Sequence, residues 1–346
     1  MPGVDLGIDL GTSQIIIYAS GTGIVLREPT VIAVDRDDGH IIACGREAHE
    51  MLGRTPDSIL AIRPIRKGVI SDYDYAEKML KYFIRRVCAY KILKPRAAVC
   101  IPASVTEVEQ RSVVDAATAS GIRRVVLIEE AVAAALGAEL DISAARGSMV
   151  VDIGAGTTDV AVLSLKGMAT SVSAKVGGDD MDEAIVRYMR SAHNFVIGEL
   201  QAENIKRTIG CACVPEEPVV IKARGRDAVT GLPRFHDVTS VQIHEAISEQ
   251  LQAIISVIQK VLETTPPELA GDVMEQGIAL TGGVALLRDM DRLIEEKTGV
   301  KCYIPDDPES CAAKGTGKAM RYVGKMLSGI YDIGQFTYPL AESVEE

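Results

Sequence analysis

No run of about 18 apolar residues occurs in this sequence, so it offers no membrane-spanning helix. An excess of positive charge is also missing. The formal net charge is −11, which argues against nucleic acid as a partner, since phosphate binding calls for a net basic face. The seven cysteines, Cys44, Cys88, Cys100, Cys211, Cys213, Cys302 and Cys311, are odd in number and contain no CxxC pair. Their scatter excludes a disulfide framework and points to a reducing compartment. The lone CxC at Cys211 and Cys213 has no histidine near enough to complete a zinc site. His40, His49, His193, His236 and His244 have neither metal nor triad spacing. Met1-Pro2-Gly3 leads straight into a strand-like segment, so no signal peptide is expected and the chain reads as cytoplasmic. Two nucleotide signatures are absent as well. Gly154-Ala155-Gly156-Thr157-Thr158-Asp159 has an aspartate where the last Rossmann glycine belongs, and Lys314–Ala319 lacks the P-loop hydroxyl and first glycine.

What is present is α/β patterning, in 346 residues that are 47% hydrophobic and long enough for two domains. Strands are expected at Val4–Asp9, Ile15–Tyr18, Val31–Val34, Ile41–Ala43, Ala97–Ile101, Val125–Ile128, Met149–Ile153, Asp159–Leu165, Val219–Ala223 and Ile278–Leu280. Helices are expected at Tyr75–Tyr90, Thr106–Ser120, Glu130–Glu139, Met181–His193, Gln201–Ile209 and Ser240–Glu263, the last broken by Pro266-Pro267. A helix running to Glu296 after Gly282-Gly283, and another over about Pro308–Leu327, complete the reading.

The chain opens twice in the same way. Val4–Tyr18 reads VDLGIDLGTSQIIIY and Val151–Val162 reads VDIGAGTTDVAV, with Asp9 and Asp152 lying 143 residues apart. Each is a strand ending in an acid, a glycine turn and a second strand. Gly11, Gly154 and Gly156 let backbone N–H groups approach phosphate oxygens, and Thr12, Ser13, Thr157 and Thr158 add hydroxyls. The acids would repel phosphate directly, so they make sense through a cation. Magnesium, held by one or two carboxylates plus phosphates and water, is expected at Asp9 and Asp152. Two such turns on facing lobes would clamp one polyphosphate. A third element, IALTGGVALLR (Ile278–Arg288), and the stretch Gly177-Gly178-Asp179-Asp180 are each expected to present a helix N-terminus to the same cleft.

These residues, in this order, resemble the actin-like ATPase superfamily and, within it, the MreB/Mbl family of bacterial cell-shape proteins. The likeness extends to GIVLREPTVIAV (Gly23–Val34), MLGRTPDSILAIRPIRKGVISDYD (Met51–Asp74), VGGDDMDEAI (Val176–Ile185), GRDAVTGLP (Gly225–Pro233) and TPPELAGDVMEQGIALTGG (Thr265–Gly283). The resemblance implies a two-lobed, four-subdomain actin-like fold. Domain I would cover 1–145, with a small subdomain near 33–65 and the helix at about 308–327 packing back. Domain II would cover 146–307, with a small subdomain near 182–240, leaving 328–346 as a tail. It implies ATP with magnesium, polymerisation of the chain with itself into paired protofilaments, a position at the inner face of the cell membrane, and cell-wall synthesis proteins as partners.

The same resemblance assigns roles. Phosphate loops are Asp9 through Gln14 and Asp152 through Thr158; the nucleoside side is Glu203, Ile205 and Lys206 with Gly282, Gly283, Val284 and Ala285. Glu130, with Glu129 as the alternative, would orient the attacking water together with Thr157. Ala131, Ala155 and Val284 depart from the family pattern, and slow hydrolysis is the expectation drawn from them. Between Lys78 and Thr106 there are seven basic and no acidic residues, and Ile92 and Leu93 sit between lysines. That composition suits shallow insertion into an anionic leaflet. Two other classes on this scaffold are a small-molecule kinase and a chaperone-type ATPase. No sugar-pocket motif supports the first, and 346 residues leave little room for a peptide-binding domain in the second.

Overall fold

The computed structural model describes residues 5–88, 94–322 and 328–332. The chain begins with a meander of β1 (Asp5–Leu10), β2 (Gln14–Ala19) and β3 (Gly23–Pro29). A small sheet follows, made of β4 (Ile32–Asp35), β5 (Ile41–Cys44) and, after helix α1 (Arg46–Met51), β6 (Ile59–Ile62). The short hairpin β7 (Ile65–Arg66) and β8 (Val69–Ile70) leads to α2 (Tyr73–Cys88), β9 (Arg96–Ile101), α3 (Glu107–Ala119), β10 (Arg124–Glu129) and α4 (Glu130–Gly137). Helix α3 starts where it does because Thr106 Oγ1 accepts from Glu109 N at 3.3 Å while Glu109 Oε2 accepts from Thr106 N at 2.7 Å, a reciprocal cap.

The second half repeats the plan with β11 (Ser148–Ile153), β12 (Thr158–Ser164) and β13 (Gly167–Ala174). Then come α5 (Gly178–His193), β14 (Phe195–Val196), α6 (Glu199–Ile209), β15 (Val220–Asp227), β16 (Pro233–Thr239), α7 (Ser240–Thr264) and α8 (Pro267–Gln276). The chain continues through β17 (Ile278–Thr281), α9 (Met290–Thr298), β18 (Cys302–Tyr303), α10 (Cys311–Ala319) and β19 (Ile330–Asp332). Strand order is β3-β2-β1-β9-β10-β19 in one large sheet and β13-β12-β11-β17-β18 in the other. In both, an antiparallel meander is extended by two parallel strands. The duplicated sequence is therefore a duplicated sheet.

Each large sheet has its own core, Leu6, Ile8, Ile15, Ile17, Met79 and Phe83 in the first lobe and Val151, Ile153, Val160, Met181, Ile243 and Ile254 in the second. Helices α4 and α10 carry the chain from one lobe to the other and back, and at two glycines they meet at backbone distance. A Cβ on Gly315 would stand 1.7 Å from the Ala133 carbonyl, and one on Gly137 would stand 1.8 Å from that of Cys311. The glycines of Lys314–Ala319 thus serve packing rather than phosphate, Gly315 against α4 and Gly317 against Gly7 and Tyr18 of β1 and β2.

Several expectations are corrected. Pro266-Pro267 ends one helix but also begins another, because proline suits a first helical position whose N–H would go unpaired anyway. Strands β3, β13 and β16 complete hairpins that the sequence reading left open. After Gly283 there is one 3-10 turn, Gly283–Leu286, and α9 starts only at Met290 past a left-handed Asp289. The helix expected over 308–327 is a 3-10 turn at Pro308–Ser310 plus α10 to Ala319, and 323–327 lie outside the described residues. Within the expected tail, Ile330–Asp332 pair antiparallel with Val126–Ile128 of β10. Ile92 and Leu93, assigned to the membrane, lie outside the described residues. Among those described, no helix is long and apolar enough to cross a membrane.

Candidate functional site

Asp9 is near the end of β1 and Asp152 near the end of β11, so each acid sits where its strand runs into a turn. The first turn is fastened by Thr30, whose Oγ1 donates to Gly11 O at 2.8 Å and whose N donates to Ser13 O at 2.9 Å. The second closes on itself through Gly154 N to Thr157 O at 2.9 Å. Both turns line one cavity of about 400 Å³ between the lobes, within the size range of small-ligand pockets. Asp9, Gly11, Thr12, Ser13, Gln14, Asp152, Gly154, Ala155, Gly156 and Thr157 all face it. The tips nearly touch, since a Cβ on Gly156 would lie 2.4 Å from Thr12 Oγ1.

Three carboxyls, Asp9, Asp152 and Glu130, line this wall, and a fourth, Asp159, is buried behind it. Burial pushes Asp9 up to about 7, with the neighbouring Asp152 adding to the effect. Burial pushes Asp152 to about 7 as well, against the Thr281 hydroxyl, which donates to its Oδ1 at 2.5 Å. Glu130 begins α4 and is 8% exposed; Thr157 Oγ1 donates to its Oε2 at 3.1 Å. Burial, then Asp159, Asp152 and Asp9, hold Glu130 well above the usual carboxylate range. Asp159 takes Ala103 N on Oδ1 at 3.3 Å, leaving Oδ2 buried without a donor. A cation suits so much converging negative charge. Among the described residues no three His, Cys, Asp or Glu side chains could hold a metal alone, so a cation here would draw ligands from phosphate and water, as magnesium does. The donor set fits.

Glu129 and Glu130 are separated by their directions. Glu129 Oε1 accepts from the Tyr331 hydroxyl at 2.5 Å, and its N–H donates to Gly329 O, both beside β19. Only Glu130 faces the cavity.

The opposite wall holds Gly178, Asp179, Glu203, Lys206, Gly282, Gly283 and Val284. Gly282 has φ +84°, and a Cβ there would strike Ile153 O at 2.3 Å, so no other residue fits. Lys206 Nζ donates to Gly178 O at 2.7 Å and pairs with Asp182 at 2.8 Å. The His49 imidazole, 3.8 Å away in the small sheet's helix α1, holds Glu203 down at about 2. That contact spans the mouth of the cleft, as does Arg63 with Asp179 at 4.0 Å.

Three expected site residues are elsewhere. Thr158 is fully buried and spends its hydroxyl on Val176 O at 2.8 Å. Ile205 and Ala285 are fully buried in the second lobe's core. The helix N-termini also need correcting. The amides of Gly178 and Asp179 donate to Gly154 O at 3.0 Å and Ala155 O at 2.8 Å, so α5 props up the second loop instead of offering its own N–H groups. The 3-10 turn at Gly283 is too short to act as a helix terminus. Ala155, one of the departures from the family pattern, does not have positive φ, so its Cβ brings no backbone strain there. Sequence reading missed Gly68, Met181, Asp182, Leu286, Arg288 and Glu309, which also line the cavity. Gly68 was the most findable, a glycine in a Lys-Gly turn between the two-residue strands Ile65–Arg66 and Val69–Ile70.

Comparison with known proteins is consistent along the chain. The MreB/Mbl protein family matches residues 3–328. The cell shape-determining protein MreB of Escherichia coli (strain K12) is 48% identical over 325 residues, covering 92% of this chain and 94% of that one. The cell shape-determining protein Mbl of Bacillus subtilis (strain 168) is 43% identical over 323 residues, covering 93% and 97%. The crystal structure of MreB 5 of Spiroplasma citri bound to AMPPNP superposes with a TM-score of 0.88 at 34% identity, covering 94% and 98%. A MamK double helical filament shares the fold, with a TM-score of 0.80 at 21% identity over 92% of this chain and 99% of that one.

Proposed function

Because the chain belongs to the MreB/Mbl family, we propose that it is a bacterial actin homologue: it binds ATP between its lobes, polymerises, and helps determine cell shape by organising cell-wall synthesis. The observation that carries this reading is the meeting of two acid-and-glycine turns, one from each duplicated sheet, in a single interlobe cavity. The AMPPNP in the MreB 5 neighbour supports a nucleotide as the occupant.

In this reading Gly11–Gln14 and Gly154–Thr157 cradle the phosphates, while Glu203, Lys206 and Gly282–Val284 border the nucleoside. Asp9 and Asp152 would hold a magnesium ion. Magnesium, when bound, supplies neutralising charge at the phosphates. Thr157 fixes one oxygen of Glu130, and the other orients the attacking water; the chemistry is mostly placement and charge stabilisation. Burial and then its acidic neighbours Asp159, Asp152 and Asp9 raise the Glu130 pKa, so less of it is ionised and able to accept a proton than of an exposed glutamate, which slows turnover. A kinase or chaperone role is not favoured.

The protein is placed peripherally at the inner membrane face, on the strength of the basic, acid-free stretch from Lys78 to Thr106. Electron microscopy of the purified chain on anionic lipid is the test. Filaments with ATP and magnesium, and few without nucleotide, are the expected result. Their absence under all conditions, or turnover only with a sugar or acetate present, would overturn the reading.

A pH dependence follows. Asp9 and Asp152 titrate near 7 in the folded chain, and a protonated carboxyl is a poor partner for hydrated magnesium. Calorimetric affinity for ATP with magnesium is expected to strengthen from pH 6 to pH 8, and this gain is expected to vanish with EDTA. Without ligand the sign reverses. The folded chain binds protons more tightly than the unfolded one between the ordinary value of 3.8 and about 7, so thermal stability falls as pH rises through that window.

A further inference from the structure

The β7–β8 hairpin has no part in the function so far, yet its tip touches both phosphate loops. Gly68 N donates to Thr12 Oγ1 of the first loop at 2.9 Å. A Cβ on Gly156 of the second loop would lie 2.8 Å from Lys67 Cα, and one on Gly68 would lie 2.9 Å from Thr157 Cγ2. A two-residue turn with positive φ at both centres favours Asn-Gly. Here the pair is Lys67 at φ +51° and Gly68 at φ +74°, so a long cationic side chain is kept where the backbone disfavours one, the kind of outlier that points to a role. That side chain crosses the cleft and forms an ion pair with Asp180 of α5. The other Asp180 oxygen accepts Gly177 N at 3.0 Å, and the next two amides of α5 hold the carbonyls of Gly154 and Ala155.

We infer that Lys67 is a positioning residue of the phosphate clamp: through Asp180 it locks α5, and the loop α5 supports, against the first lobe and so slows escape of bound nucleotide. The inference rests on the nucleotide reading above. Arg63 and Asp179 make a second tie nearby, so the effect of losing Lys67 is partial.

Release of a fluorescent ATP analogue from the full chain, followed by stopped flow, tests it. Lys67→Gln and Asp180→Asn are each expected to speed release about tenfold, and the double variant no more than either single, as two ends of one contact behave. Lys67→Arg, which keeps charge and reach, is expected to restore the original rate. Unchanged release in the singles, or multiplied effects in the double, would overturn the inference. Should the unsubstituted chain bind no adenine nucleotide, the nucleotide reading falls by itself. Amide exchange over 154–157 in the unliganded protein then decides this one: quickening in Lys67→Gln supports the lock, and equal protection refutes it.

Discussion

Replacing Gly156 with valine weakens ATP binding by an expected 100-fold or so, the scale on which a displacement of about 1 Å disables a site. The cause is steric. The first atom added would already lie 2.4 Å from Thr12 Oγ1 and 2.8 Å from Lys67 Cα, so the loops must part before the branched methyls are placed at all. Close-packed interiors absorb such an intrusion only by moving backbone. Titration calorimetry with ATP and magnesium measures the loss. Two neighbours serve as controls. Ala155→Gly changes little, because Ala155 does not sit at positive φ. Gly154→Ala meets nothing in the protein closer than Thr157 O at 3.6 Å, so it should leave the melting temperature alone and reduce affinity only if phosphate approaches there. Native affinity in Gly156→Val would mean that the tips do not grip a common ligand.

The second large effect is on turnover. Glu130→Gln keeps an oxygen for the Thr157 hydroxyl but removes the carboxyl, and phosphate release is expected to fall by about 10²-fold, the low end for loss of a positioned acid–base group. ATP affinity holds, since glutamine keeps the size and hydrogen-bonding shape of a side chain whose charged form is already disfavoured beside Asp159, Asp152 and Asp9. Glu129→Gln is the matched control, equally buried but hydrogen-bonded to Tyr331, and it should leave the rate intact. If both variants slow release equally, the effect belongs to the start of α4 and not to the chemistry at Glu130.

The duplicated strand–acid–glycine pattern was legible because it is local: alternation, a terminal carboxylate and a turn fit within fifteen residues, and both copies folded as read. Ile205 shows a limit that geometry could have removed. Glu203 and Lys206 are three apart and share a helical face, whereas a residue two positions from Glu203 turns toward the core. Thr158 is similar, since alternation along β12 carries it away from the cleft that Thr157 faces. What the chain could not reveal is tertiary. The amides of α5 look free until the carbonyls of Gly154 and Ala155 are found against them. Pairing of Lys67 with Asp180 joins residues 113 apart that share no local pattern.

The contact of α4 with α10 limits how this molecule can open. With Gly137 and Gly315 already at backbone distance, sliding the lobes apart there would lose that packing, whereas a scissor-like swing about the crossing would keep it. Travel is then greatest at the blade ends, where His49 meets Glu203 and Arg63 meets Asp179. A neighbouring subunit that pinned only those ends would trap the nucleotide without ever touching it.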